Sequence, residues 1–161
     1  MSITTKDTDI KGLVTFKVGD EEFGVDILLV ETIIRMMEIT KVPRAPEFVE
    51  GVINLRGSII PIIDFRKRFN MQKKDEDKDT RIIVTNVDNK QMGFIVDSVS
   101  EVLRLPVSSI EAPPAIVAGI DSEYIEGVGK LDDRLLILID INKIFSLGEK
   151  EKIKKVYEEV K

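Results

Sequence analysis

Residues 50–69, EGVINLRGSIIPIIDFRKRF, align without a gap to residues 126–145, EGVGKLDDRLLILIDINKIF. Glu50/Glu126, Gly51/Gly127, Val52/Val128, Leu55/Leu131, Asp64/Asp140, Lys67/Lys143 and Phe69/Phe145 are among the identities, and most other positions keep their apolar or polar character. Upstream, Phe23-Gly24-Val25-Asp26 answers Phe94-Ile95-Val96-Asp97, and Ala45-Pro46 answers Ala112-Pro113. A self-match at a spacing of about 70 residues is too long for a solenoid repeat and suits two duplicated small lobes. A cleft between such lobes is a natural place for a ligand or partner.

The pattern within each copy is β-rich. Residues 1–11 are polar and expected to be disordered. Leu13–Val18 alternates as a strand, Gly19-Asp20 supplies a turn, and Glu21–Val25 returns. Asp26 is placed to cap a short apolar turn, Ile27–Val30, ahead of a strand over Thr32–Met37. A brief helical turn is expected at Glu47–Glu50. Strands then follow at Val52–Leu55 and Ser58–Ile63, with Pro61 pointing to an edge or bulged position. Asp64 caps a short helix through Phe69, and Asp140 does the same through Phe145. The charged stretch MQKKDEDKDT, residues 71–80, reads as a linker. Arg81–Val87, Met92–Val96 and Val99–Leu105 form strands in the second copy, as do Tyr124–Leu131 and Arg134–Ile139. Ile153, Val156, Tyr157 and Val160 fall at helical spacing, so 148–161 reads as an amphipathic helix. Many short strands with brief helices indicate small β-barrels rather than a parallel α/β sheet.

Composition narrows the function. The chain has no His, Cys or Trp, which removes imidazole-based and thiolate-based catalysis and any disulfide framework. No phosphate-cradling glycine motif or nucleophile elbow is present. A net charge of −5 argues against a nucleic-acid surface. No apolar stretch reaches the ~18–20 residues a membrane span needs, and the N-terminus lacks a signal-peptide core, so the expected location is cytoplasmic without membrane insertion. Asp132-Asp133 sits where a hairpin turn is due. Asp75-Glu76-Asp77 and Asp79 resemble a calcium loop only loosely, without its glycine or bidentate Glu. Asp26, Asp64, Asp97 and Asp140 are explained as caps after strands. No cofactor, metal or enzymatic activity is expected.

Asn54-Leu55-Arg56-Gly57 stands apart. A plain hairpin prefers Asn-Gly or Asp-Gly, whereas here Gly permits a sharp turn that projects a guanidinium, a rigid multi-donor anchor for a partner. Val30 and the loop residue Ile116 are further candidate apolar anchors, with burial in the core as the competing reading.

GDEEFGVDIL (19–28), PEFVEGVINLRG (46–57), IIPIID (59–64) and RLLILIDI (134–141) together resemble the CheW family of chemotaxis coupling proteins, over residues 12 to about 147. The resemblance implies an all-β fold of two five-stranded SH3-like barrels sharing a hydrophobic core. The first lobe is expected over about 12–70 and the second over about 80–147, with exchange of strands between them left open. It also implies a free-standing, non-enzymatic adaptor between the cytoplasmic tips of chemoreceptors and the CheA histidine kinase, bound through that kinase's own regulatory domain. Carried over by motif, Val30, Asn54, Leu55, Arg56 and Gly57 fall where the family meets the receptor. Thr80, Ile82 and Gly93 match a region tied to the kinase, and Ile116 falls in the loop of the other ring interface. Some relatives carry Glu where this chain has Thr32, so one receptor-facing charge is expected to be missing. The competing class is a small β-barrel that binds a ligand or nucleic acid. Titration with a single-stranded oligonucleotide at low salt separates the two, since nucleic-acid binding collapses as salt rises.

Overall fold

The computed structural model describes residues 9–117, 120–145 and 147–159. The strands and α-helices among the described residues are, in chain order, β1 (Ile10–Val18), β2 (Glu21–Asp26), β3 (Val30–Arg35), β4 (Val49–Leu55), β5 (Ser58–Asp64), α1 (Phe65–Arg68), β6 (Arg81–Val87), β7 (Lys90–Val96), β8 (Ser98–Pro106), β9 (Ile110–Glu111), β10 (Ile116–Val117), β11 (Ile120–Asp121), β12 (Ile125–Lys130), β13 (Leu135–Ile139) and α2 (Leu147–Glu159). They build a six-stranded sheet, β8-β1-β2-β13-β12-β9, a five-stranded sheet, β3-β6-β7-β5-β4, and the small pair β10-β11. No helix among the described residues is long and apolar enough to cross a membrane.

The two sheets do not follow the two sequence copies. The six-stranded sheet takes β1 and β2 from the first copy and the rest from the second, while the five-stranded sheet combines β3, β4 and β5 with β6 and β7. The exchange of strands left open between the two lobes thus makes them an intertwined pair. Each exchange is made by one parallel pairing: Ile137 lies opposite Phe23, and Ile63 opposite Phe94. The first copy of the duplicated hairpin (β4–β5) thus completes the second copy's sheet, and the second hairpin (β12–β13) completes the first's. In the five-stranded sheet Thr40, beyond β3, pairs with Val52 on the free side of β4, so the sheet closes on itself. The equivalent closure in the other sheet is made by β9 against β12, which adds its sixth strand.

The central strands β5 and β13 are buried on both faces, which is why they read as unbroken apolar runs. Ile60 and Ile62 face the interior of the five-stranded lobe with Ile53, Ile82 and Val84. The matching Leu136 and Leu138 face the other interior with Leu13 and Leu105. Their alternate neighbours, Ile63, Ile137 and Ile139, face a third and larger cluster between the lobes. Phe23 and Phe94, equivalent in the two sequence copies, both belong to this shared cluster. Phe16, Phe23 and Phe65 pack there with ring centroids 5.6, 5.4 and 4.9 Å apart. Ile153 and Val156 seat α2 against the body of the fold; the side chain of Tyr157, and Val160, lie outside the described residues.

Several local expectations shift. β1 starts at Ile10, inside the stretch expected to be disordered. Only Glu47 and Phe48 form the turn, closed by the Val49 amide donating to the Pro46 carbonyl, and β4 already begins at Val49. Pro61 lies in an interior strand rather than at an edge. Val52, opposite it, spends both its amide and carbonyl on Thr40, so the Val52–Pro61 pair exchanges no hydrogen bonds. On its other side the ladder to β7 begins only at Ile62. The missing donor thus falls where neither neighbour needs it. Asp26 and Asp64 cap as expected, accepting from the amides of Leu28 and Arg66. After Asp140 the chain makes turns instead of a helix. Asp97 caps nothing: its carboxylate takes Arg66 Nε at 3.0 Å and Nη2 at 2.5 Å, and accepts the Gly19 amide at 2.8 Å. One aspartate thereby ties α1 to the β1–β2 turn across the lobe junction.

Candidate partner-binding surface

The β4–β5 hairpin closes in two residues, with Leu55 opposite Ser58. Arg56 has φ +53° and Gly57 φ +89°, the left-handed pair of a type I′ turn, whose twist matches that of the strands. A side chain at Gly57 would meet nothing, so the glycine is there for its backbone and not for space. Asn54 Oδ1 accepts the Gly57 amide at 2.9 Å and locks the turn from outside. Leu55 turns inward onto the lobe interior. Arg56 is exposed and makes no hydrogen bond or ion pair among the described residues. The turn therefore holds a charged side chain in solvent, on a rigid base.

Val30 opens β3 and is half-buried against the shared core. The β3–β6–β7–β5 register (Val30 with Thr85, Thr85 with Met92, Gly93 with Ile62) carries it toward the same end of the sheet as the Arg56 turn, with β6 and β7 between them. The exposed anchor beside Val30 is Leu28, 87% accessible on the one-turn helix Ile27–Leu29. Ile27 lies over Gly12, where a Cβ would come within 2.9 Å of its Cγ2. Ile10 shares that face of β1, and Val102 lies opposite Val14 on the same face. Ile10, Ile27, Leu28 and Val102 are all exposed, and together form an apolar surface that sequence reasoning missed. The available signal was four consecutive apolar residues after a cap, Ile27–Val30, in a turn too short to bury them all. Glu31 is the extra residue where the β3–β6 register slips, and it accepts hydrogen bonds from Asn86 and Gln91. A carboxylate is thus present one residue before Thr32, where the charge was expected to be missing.

Comparison with known proteins settles the family. The CheW-like domain matches residues 12–149. A chemotaxis protein CheW of Klebsiella aerogenes is 42% identical over 134 residues, covering 83% of this chain and 81% of that protein. One from Treponema pallidum is 37% identical over 145 residues, covering 88% and 85%. The chain belongs to the CheW family. Among solved structures, the scaffolding protein TtCheW from Thermoanaerobacter tengcongensis superposes with a TM-score of 0.82 at 42% identity, covering 89% of this chain and 97% of that one.

Within this CheW-like domain Thr80, Ile82 and Gly93, the positions carried over for the kinase, are all buried. Ile82 is 0% exposed in the interior of the five-stranded lobe. Gly93 is buried beside it, and a Cβ there would come within 2.7 Å of Ile62 Cδ1 and 2.8 Å of Ile82 Cγ2. Neither offers surface to a partner; the glycine lets two isoleucines meet. Thr80 is also buried, its hydroxyl accepting the Asp77 amide at 2.8 Å and closing the end of the linker. Ile116 opens β10, and its side chain lies outside the described residues.

Charge is organised around the lobe junction. Burial pushes the Asp97 carboxyl up, but the Arg66 guanidinium, the Gly19 amide and Lys74 outweigh it and hold the group below its ordinary range. Nearby Asp64 goes the other way: burial raises it, with Glu50 adding to the effect, and the Arg66 amide and Lys67 only partly offset it.

Proposed function

We propose that this chain is a non-enzymatic adaptor which couples the cytoplasmic tips of chemoreceptors to the histidine kinase CheA and supports assembly of their arrays in the cytoplasm at the membrane. Family membership and the likeness to a protein described as a scaffold support this reading. The observation that carries it is Arg56, a guanidinium unpaired among the described residues and presented on a type I′ turn. The receptor-facing set is Val30, Asn54, Leu55, Arg56 and Gly57, in which Asn54 and Gly57 shape the turn and Arg56 makes the contact. Leu28, Ile27, Ile10 and Val102 supply apolar area suited to the face of an amphipathic helix. Thr80, Ile82 and Gly93 act on kinase contact by holding the β6–β7 wall of their lobe in shape, and the loop bearing Ile116 meets a further ring neighbour. Control of the kinase follows when the receptor and kinase contacts differ between signalling states.

Calorimetric titration with a receptor-tip fragment and, separately, with the isolated CheA regulatory domain tests the proposal. Binding to both is expected, with Arg56→Ala weakening only the receptor branch. Failure of the wild-type chain to bind either partner would sink the adaptor reading.

A further inference from the structure

A second surface lies between α2 and the β6–β7 hairpin. The hairpin turns through Asp88 and Asn89, both left-handed at φ +53° and +63°, which makes it a rigid type I′ wall. Facing it, Lys150, Ile153 and Lys154 share one side of α2 at i, i+3, i+4 spacing. Between the two elements is a crevice of about 70 Å³ with Val87, Met92, Ile141, Phe145 and Ile153 at its base. Small-molecule sites run to roughly 300–1,000 Å³, so this one is sized for a single apolar side chain rather than a cofactor.

Its rim is basic. Lys90, Lys150 and Lys154 line the opening against one carboxylate, Asp88, in a chain whose net charge is −5. None of the three lysines is spent on an ion pair among the described residues. On the other flank of α2, Lys152 and Lys155 converge with Arg44 on a second cleft without an acidic residue in its lining. An apolar slot inside a ring of unspent cations is complementary to an apolar side chain flanked by carboxylates. The concavity favours an inserted side chain over the flat surface of a bilayer.

We infer that this crevice docks an acidic peptide segment of a partner protein, with one large apolar residue inserted between α2 and the β6–β7 hairpin. The inference does not depend on the adaptor reading, because it uses none of the receptor-facing residues.

The probe is a set of fluorescent synthetic peptides in which one Leu, Ile, Met or Phe is flanked on both sides by glutamates, titrated into the full chain by polarisation. At least one anchored peptide should bind, and its affinity should fall about tenfold when the anchor becomes alanine. A similar fall is expected in the Lys150→Glu/Lys154→Glu variant, checked for an unchanged melting curve, and with rising salt. Asn142→Trp, which fills the mouth of the crevice while keeping the lysines, should also block binding. Arg56→Ala should leave it untouched. Three results would overturn the inference: no anchored peptide binding better than its alanine control, equal binding by the lysine variant, or binding only to anionic phosphatidylglycerol vesicles.

Discussion

The two copies of the duplicated hairpin use arginine in opposite ways. In β4–β5 the arginine is inside the turn, at Arg56, exposed and unpaired among the described residues. In β12–β13 the turn is Leu131–Arg134, closed by the Leu131 amide on the Arg134 carbonyl, and the arginine comes two residues later in the repeat, at its end. There Arg134 is consumed by three carboxylates: Glu22 at 2.6 Å, Glu101 at 3.1 Å and Asp133 at 3.1 Å. Glu22 is only 9% exposed, so Arg134 neutralises a carboxylate that has lost most of its water. One hairpin presents its guanidinium and the other spends it on carboxylates of its own surface. Duplication supplied two related supports, and the adaptor reading needs only one to be outward-looking.

The largest expected effect tests whether the supports are equivalent. Phe23 and Phe94 occupy matching positions, each beside a parallel partner from the other copy, and both face the shared cluster. Phe23→Ala and Phe94→Ala should each cost about 3–5 kcal/mol, read by denaturant unfolding. A near-native value for either would break the symmetry on which the comparison rests.

The arginines separate function from stability. Arg56→Ala should weaken receptor-fragment binding about 30-fold, roughly 2 kcal/mol, with no change in melting temperature. Arg134→Ala should do the reverse, leaving receptor affinity alone while lowering thermal stability, because it strands Glu22. Glu22→Gln added to Arg134→Ala should recover part of that loss. If both single variants lower stability and spare binding, the outward role of Arg56 is gone.

Asp97 and its counterpart Asp26 sharpen the comparison by pH. Asp26 caps a helical turn, whereas Asp97 clamps Arg66 and the Gly19 amide. Because the folded pKa of Asp97 lies below the ordinary 3.8, its contribution is present above that value and lost as pH falls through the folded pKa. Asp97→Asn should cost about 1.5 kcal/mol at neutral pH, with the gap to wild type closing in acid. Asp64, raised by burial, has the opposite sign: its contribution is present below 3.8 and lost as pH rises through its folded value. A gap that stays constant from neutral pH to below 3.8 would rule out the Asp97 clamp as its source.

Strand positions, the Asp26 and Asp64 caps and the Arg56 turn were legible because each is local: alternation, an Asp after a strand, a Gly beside an Arg. The exchange of hairpins was not, since parallel pairings such as Ile63 with Phe94 join residues far apart in sequence, and periodicity names a strand without naming its neighbour. The apolar surface around Leu28 was missed for a related reason, as Ile10 and Val102 come beside it only through the β1–β8 pairing. Ile82 and Gly93 show the limit of carrying residues over by motif. A motif preserves what a lobe needs in order to pack as readily as what a partner touches, and burial alone tells them apart.

The smallest effect bears on why Arg56 occupies a position that suits asparagine. A non-glycine residue at φ +53° carries strain, least for Asn and Asp, and an Asn-Gly pair is the preferred type I′ sequence. Arg56→Asn should therefore raise stability by about 0.5–1 kcal/mol while losing receptor affinity to the same degree as Arg56→Ala. The turn would then be better as a hairpin and worse as a contact, as expected when local strain persists for the sake of the group it presents. A variant that gains stability and keeps its receptor affinity would show that the turn, and not the guanidinium, is what the receptor reads.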